Sequence, residues 1–358
     1  MNGTRSTLVA GVVAALLAST TVLPDAAPTA AAQTGAAQTG VAQTGVAQTG
    51  VAAPPPYPRP QRVVGPAATH DPSMVRGRRG DWYTFSTHNG VEIRRSTDRR
   101  HWRFVGEVLP DGAAWAGAYQ ADGARDAWAP DVSYHRGRYW LYYSISSFGS
   151  NRSAIGLATS RSARPGTWTD RGPVYASAPS DDFNAIDPGL TVDRRGRWWL
   201  TLGSFWSGVK MIRLDPATGK PSSPDVPRRS LAQRPAPDAL EGAYVHRHGR
   251  YYYLFASYEL CCRGLDSTYR IKVGRSRSVT GPYVDRDGTP MTEDGGTTIL
   301  ATHGRVIGPG GQSVLRGGWT GSGRDLLVYH YYDRRDAGTP RLGVNGLGWR
   351  GGWPVVKR

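Results

Sequence analysis

Two cysteines, four methionines, six phenylalanines and four lysines are all that a chain of 358 residues holds of those types. The cysteines are adjacent, Cys261 and Cys262, so no disulfide can staple distant segments; a vicinal bridge or two buried thiols are the alternatives. The pair does not read as a zinc site, because no second Cys or His pair stands at zinc spacing. Beyond the N-terminus no apolar run is long enough to span a bilayer, and no membrane partner is expected. What the chain does have is turn formers and large rings: 46 glycines, 26 prolines, 12 tryptophans and 18 tyrosines. That profile suits many short strands and tight turns and argues against a helical bundle or coiled coil.

Charge is one-sided. The formal net charge is +16, carried almost wholly by arginines spread along the whole chain. Such a balance permits contact with acidic polymers. No finger, basic zipper or other nucleic-acid signature accompanies it, so no nucleic-acid partner is expected. Residues 1–32 read as a secretory signal peptide, with Arg5 as charged flank, an apolar stretch from Leu8 to Leu23 and small residues at Ala30 to Ala32. The protein is therefore expected to be extracellular. Residues 33–62, with Ala-Gln-Thr-Gly recurring every five residues and then Pro54-Pro55-Pro56, read as a disordered linker. The folded domain is expected over 63–358.

An internal repeat organises that domain. A glycine turn followed by an aromatic strand starts at Gly80, Gly137, Gly196, Gly249 and Gly323, at spacings of 57, 59, 53 and 74 residues. Short apolar strands precede and follow it. About four strands per unit describe a propeller blade, so the expected fold is all-β, a five-bladed β-propeller. Just before the first strand of each unit stands a polar residue: Asp71, Asp131, Asp187, Glu241 and Gln312. Equivalent positions in successive blades meet near the axis, so four carboxyls and an amide are expected in one funnel. Like charges so crowded repel, unless some hold protons or serve a reaction. Any one of them alone could instead cap turn amides. Two carboxyls flanking a glycosidic bond, one protonated and one ionised, are what sugar hydrolysis needs, and exposed Trp and Tyr faces stack on sugars. A cation shared by the acids is the competing reading, although no Asp-x-Asp-x-Asp calcium loop is present.

The order and spacing of several segments carry a specific resemblance. They are His70-Asp71-Pro72-Ser73, Trp128-Ala129-Pro130-Asp131, Ser146 to Asn151, Ile186-Asp187-Pro188-Gly189, Gly203 to Gly208, Leu240-Glu241-Gly242, Cys261 to Tyr269 and Gly308-Pro309-Gly310. Together they resemble glycoside hydrolase family 43, in particular its endo-α-1,5-L-arabinanases. The resemblance implies a five-bladed propeller, inversion at the anomeric centre and arabinan as the polysaccharide partner. It implies Asp71 as general base, Glu241 as general acid, and Asp187 as the acid that raises the pKa of Glu241. It also implies His70, Trp128, Phe148 and Ser207 as substrate contacts; Asp131 is expected to orient rather than react. Many arabinanases place His-Asn after Gly-Pro-Gly, and that His helps hold a central ion, usually calcium. Here Gly311-Gln312 stand there. No cofactor is expected for the chemistry, while a structural calcium in the channel stays open: held through water, held by a substitute residue, or absent. An exo-arabinofuranosidase or β-xylosidase of the same family, and a sugar-binding propeller without catalysis, are the alternatives. A monomer is expected.

Overall fold

A computed structural model describes residues 57–358, apart from 67, 122, 123 and 321. The expected signal peptide and the linker up to residue 56 lie outside the described residues. Five four-stranded antiparallel sheets follow one another in chain order. The first holds β1 (Ser73–Arg76), β2 (Trp82–Ser86), β3 (Glu92–Ser96) and β4 (Arg103–Glu107). The second holds β5 (Trp128–His135), β6 (Arg138–Ile145), β7 (Ser153–Ser160) and β8 (Trp168–Ser177). The third holds β9 (Gly189–Val192), β10 (Trp198–Leu202), β11 (Val209–Leu214) and β12 (Arg229–Ala232). The fourth holds β13 (Leu240–His248), β14 (Tyr251–Tyr258), β15 (Arg270–Ser276) and β16 (Thr297–Leu300). The fifth holds β17 (Val306–Leu315), β18 (Asp325–Asp333), β19 (Thr339–Arg350) and β20 (Trp353–Lys357). The first strands touch in a cycle that closes between β17 and β1, which makes the arrangement a five-bladed β-propeller.

The repeat seen in the sequence is the first hairpin of each blade. Gly80, Gly137, Gly196, Gly249 and Gly323 all have positive φ, between 55° and 92°, in the turn from first to second strand. The aromatic strands that follow them are the second strands. β2 and β10 are buried at every residue, and β6, β14 and β18 at all but the first. Both faces of these strands are covered by neighbouring blades, which explains apolar runs where a one-sided sheet would alternate. Five hydrophobic clusters fill the gaps between neighbouring blades.

The gaps are unequal. The cluster between blades five and one contains eight buried side chains, against seventeen, fifteen, fourteen and fourteen elsewhere. This weakest joint is where the ring closes, and the chain reinforces it with its own leading segment. The Gln61 amide donates to Val344 O (2.8 Å), Thr69 N to Pro340 O (3.1 Å), and Val64 exchanges hydrogen bonds with Arg100 O and Trp102 N (2.8 and 2.9 Å). Residues 61–69 thus tie β19 of blade five to the loop and strand of blade one. Asn345 Nδ2 also donates to Arg59 O (3.2 Å). The folded part therefore begins before residue 63: the expected linker runs into a clasp, because the half of β19 not covered by β20 offers free backbone groups that need partners.

Candidate active site

Each blade begins with a left-handed kink just outside or inside its first strand. The residues are Asp71 (φ 47°), Ala129 (42°), Asp187 (57°), Gly242 (61°) and Gly311 (55°). A non-glycine side chain in this region costs about 1–2 kcal/mol, and two of the three that bear it here are acids of the funnel. Proline follows Asp71, Ala129 and Asp187 and fixes the next φ. The kinks bring one segment from every blade to a common cavity of about 40 Å³ lined by Asp71, Asp131, Asp187, Gly242 and Gln312, among others. Four of the five expected residues, Asp71, Asp131, Asp187 and Gln312, line this cavity; Glu241 does not, and its neighbour Gly242 does.

Asp131 and Gln312 bind blades together. Asp131 is 3% exposed and accepts from the Leu190 amide of blade three (2.7 Å) and the Ser73 hydroxyl of blade one (3.4 Å). Gln312 donates to Gly242 O (2.6 Å) and accepts from Ser257 Oγ (3.0 Å), both in blade four. Burial pushes the Asp131 carboxyl up to about 7, against the pull of the Leu190 and Ser73 donors. With the folded pKa above the ordinary carboxylate value, its contribution to stability is full below about pH 4 and is lost as pH rises through 7. Asp131→Asn keeps an acceptor for Leu190 and presents a donor to Ser73. The fall in Tm between pH 4 and 7 should be shallower in this variant than in the wild type; parallel curves would show that Asp131 does not titrate there.

Asp71, Asp187 and Glu241 are only partly buried. Asp71 Oδ2 accepts from His70 Nδ1 (2.7 Å) and Thr87 Oγ1 (2.7 Å), and Oδ1 lies 3.4 Å from His330 Nδ1. Burial alone would raise its pKa, yet the charge and bond of His70, with His330 beside it, hold it well below the usual carboxylate range. Asp187 Oδ2 accepts from the Gly242 amide (2.8 Å), and Ser144 Oγ accepts from its own amide (3.0 Å). Burial, then the charges of Glu241 and Asp71, push Asp187 well above the ordinary value. Glu241 accepts from Ser204 Oγ (2.6 Å) and from the Tyr269 hydroxyl. Burial raises its pKa too; those two donors oppose the rise and the Asp71 charge adds to it. Asp71 on blade one is thus held toward its ionised form, while Asp187 and Glu241 are both pushed toward their protonated forms, Asp187 the further of the two.

The expected substrate contacts are placed variously. His70 joins the Asp71 network, with its Nε2 2.8 Å from Tyr332 OH. Trp128 opens β5, half buried. Ser207 lies in the turn after β10, its hydroxyl buried without a hydrogen-bond partner. Phe148 stands on the turn between β6 and β7, 85% exposed and not in the wall of the small cavity. Cys261 and Cys262 are joined in a vicinal disulfide on the loop from β14 to β15. The Cys262 amide donates to Tyr332 OH (2.7 Å), so this loop supports the His70–Asp71 pair.

The absent imidazole at position 311 has a physical reason. A Cβ on Gly311 would overlap the Asp71 carboxylate and meet His330 Nδ1 at 2.7 Å. An imidazole does stand beside this position: His330, fully buried in β18 and stacked on His70 at 3.7 Å between centroids. Its pKa is lowered to about 4 by burial and by His70. Its Nδ1 accepts from the Asp71 amide (3.1 Å), which leaves the ring proton on Nε2, and Nε2 is buried without a protein partner. His70, Asp71 and His330 each offer a ligand atom within 4.8 Å of the others, the one such group at the acids among the described residues that could hold an ion.

Thr87, Ser204, Tyr269 and Tyr332 hold the acids and His70, and the sequence did not assign them roles. A histidine inside a strand buried on both faces, as at Tyr329-His330-Tyr331, was the available signal: a buried ring nitrogen needs a partner.

A secondary-structure ring of five blades with three crowded acids at one mouth defines a glycoside hydrolase. The chain belongs to glycosyl hydrolases family 43, whose sequence profile matches residues 60–354. It is 43% identical over 290 residues to the extracellular endo-α-(1→5)-L-arabinanase 1 of Bacillus subtilis, covering 80% of this chain and 86% of that one. It is 39% identical over 303 residues to an extracellular exo-α-(1→5)-L-arabinofuranosidase of Cellvibrio japonicus, with 80% and 86% covered. Among solved structures it is similar to a family 43 endo-arabinanase from Bacillus licheniformis, with a TM-score of 0.77 and 44% identity over 82% of this chain and 99% of that one.

Proposed function

We propose that the protein is a secreted, monomeric endo-hydrolase of α-1,5-linked L-arabinan that inverts the anomeric centre in a single displacement. The observation that carries the mechanism is the opposite displacement of two pKa values: Asp71 is held ionised while Glu241 is pushed toward its protonated form. Asp71 takes a proton from the attacking water, with His70, Thr87 and His330 fixing its carboxylate. Glu241 delivers a proton to the leaving sugar oxygen, aimed by Ser204 and Tyr269. Asp187 and Glu241 lie near enough for their charges to interact, so the pair resists double ionisation and keeps a proton between its two members. His70, Trp128, Ser207 and Phe148 contact the sugars, Phe148 from the rim, where an exposed ring is free to stack. A cation here would be held among His70, Asp71 and His330 and would add positive charge at Asp71. Secretion is supported by the charged and apolar stretch through Leu23 and by the extracellular relatives.

Chain cleavage within arabinan is favoured over terminal release by the endo-acting relative in each kind of comparison, although an exo-acting relative is nearly as similar. The test is a time course on linear 1,5-arabinan. Mixed oligosaccharides early in the reaction, with the newly formed anomer inverted by proton NMR, are expected. A single short product from the outset would make the enzyme exo-acting, and retention of configuration would refute Asp71 as base.

A further inference from the structure

A second hollow in the described structure is much larger than the one at the acids. A groove of about 1930 Å³ runs over the seam between blades five and one, floored by the clasp and walled by the far ends of β13, β17, β19 and β20. Position along β13 separates it from the acids: Glu241 is that strand's second residue and His248 its last, roughly 23 Å further on. The groove therefore opens on the opposite face of the propeller.

Its lining is strongly cationic. Nine Lys and Arg side chains face it, among them Arg62, Arg100, Arg247, Arg316, Arg324 and Lys357. Only two acids join them, and both are engaged with histidines: Asp98 with His101 (2.7 Å) and Asp325 with His246 (3.0 Å). None of the nine makes an ion pair among the described residues; the arginines that do, such as Arg94, Arg95, Arg197 and Arg341, lie elsewhere. So many unneutralised like charges on one seam repel one another, and that cost is relieved by a polyanion. Eight of the nine are arginines, whose planar fork matches a carboxylate in two hydrogen bonds. Half-buried Trp349 also lines the groove; His248 stacks on it at 3.9 Å and Tyr253 packs against it at 4.6 Å, so the flat ring surface left for a sugar is that of exposed His248.

We propose that this groove is a second carbohydrate site, distinct from the acids, that binds a polyuronide: a polysaccharide with a carboxylate on each ring. Arabinan is neutral and has no use for nine cations. An acidic polysaccharide to which neutral furanoside chains are attached would be held by one face while its side chains reach the other. The inference does not depend on the hydrolytic reading, because binding is measured without turnover.

The test is affinity electrophoresis of the full chain in gels containing de-esterified polygalacturonate, neutral linear arabinan, or double-stranded DNA. Three proteins are compared: wild type, a groove variant (Arg62→Gln, Arg247→Gln, Arg324→Gln) and a control of equal charge loss outside the groove (Arg161→Gln, Arg164→Gln, Arg229→Gln). Wild type should be retarded by polygalacturonate at low salt and released by about 0.5 M NaCl. The groove variant should bind at least ~10-fold more weakly and the control within about twofold of wild type. Unchanged hydrolysis of soluble arabinan by all three would verify folding. Equal losses in both variants would reduce the effect to net charge and overturn the proposal. Retardation by DNA as strong as by polygalacturonate would overturn the assignment to polyuronide, and no retardation of wild type would overturn the site itself.

Discussion

Glu241→Gln should lower kcat/KM on linear arabinan by ~10²–10⁴-fold while leaving the affinity for short arabino-oligosaccharides nearly unchanged. The amide keeps the shape of the side chain, accepts from one of Ser204 and Tyr269 and presents its NH2 to the other, but has no acidic proton to give. An aryl arabinoside with a good leaving group needs little protonation, so its hydrolysis should fall far less. The pH profile separates this role from a structural one. In the wild type the alkaline limb should follow deprotonation of the Glu241–Asp187 pair, whose pKa values are both raised. The acid limb should lie low, because Asp71 stays ionised well below the usual carboxylate range. With the aryl substrate, Glu241→Gln should lose the alkaline limb and keep the acid one. Equal loss on both substrates, or loss of binding in step with turnover, would remove Glu241 from the proton-donor role.

Gly311→Ala is expected to be as damaging, with no charge changed. The residue sits at φ 55°, where an L side chain costs about 1–2 kcal/mol, and the added methyl would run into Asp71 and His330. Neither neighbour gives way cheaply. Asp71 is held by His70 and Thr87, and His330 is fully buried against His70. Turnover should drop by at least ~10²-fold, since a reacting group displaced by even 1 Å loses about that much. Tm should fall as well. Repeating the substitution in an Asp71→Ala background identifies the cause: the drop in Tm should shrink when the carboxylate is gone. An undiminished drop would assign the damage to the backbone alone, and full activity of the single variant would contradict the packing described.

The blades were legible because their signal is local and repeated. Each aromatic strand is buried on both faces and preceded by a turn that only glycine takes without strain, so the same pattern recurs at Gly80, Gly137, Gly196, Gly249 and Gly323. The acids were legible because they cluster near one point of that repeat. The division of labour among them was not. Asp71 and Asp187 sit on the kink itself, whereas Asp131 lies two residues past the kink at Ala129, and its partners Leu190 and Ser73 make it a brace while His70, Thr87 and His330 hold Asp71 toward its ionised form. The crowding at Gly311 was hidden for a related reason: the volume around that position is filled by Asp71 and His330, which come from other parts of the chain. The clasp was hidden because residues 57–69 have neither apolar alternation nor a repeat; their hydrogen bonds exist only once β19 is there to receive them.

That clasp gives the ring a direction in time. Its donors leave the ribosome first, but their acceptors on β19, at Pro340 and Val344, are about 270 residues further along the chain. Until β17 is made, blade one has no neighbour on that side, and until Pro340 and Val344 follow, the clasp has no acceptors. The blades are free to form one after another as local hairpins, yet the circle closes only when nearly the whole chain is out. A nascent chain halted before residue 340 would hold four blades and part of the fifth without the clasp that locks first to last. The leading segment is thus the first part of the folded domain to be synthesised and among the last to find its place.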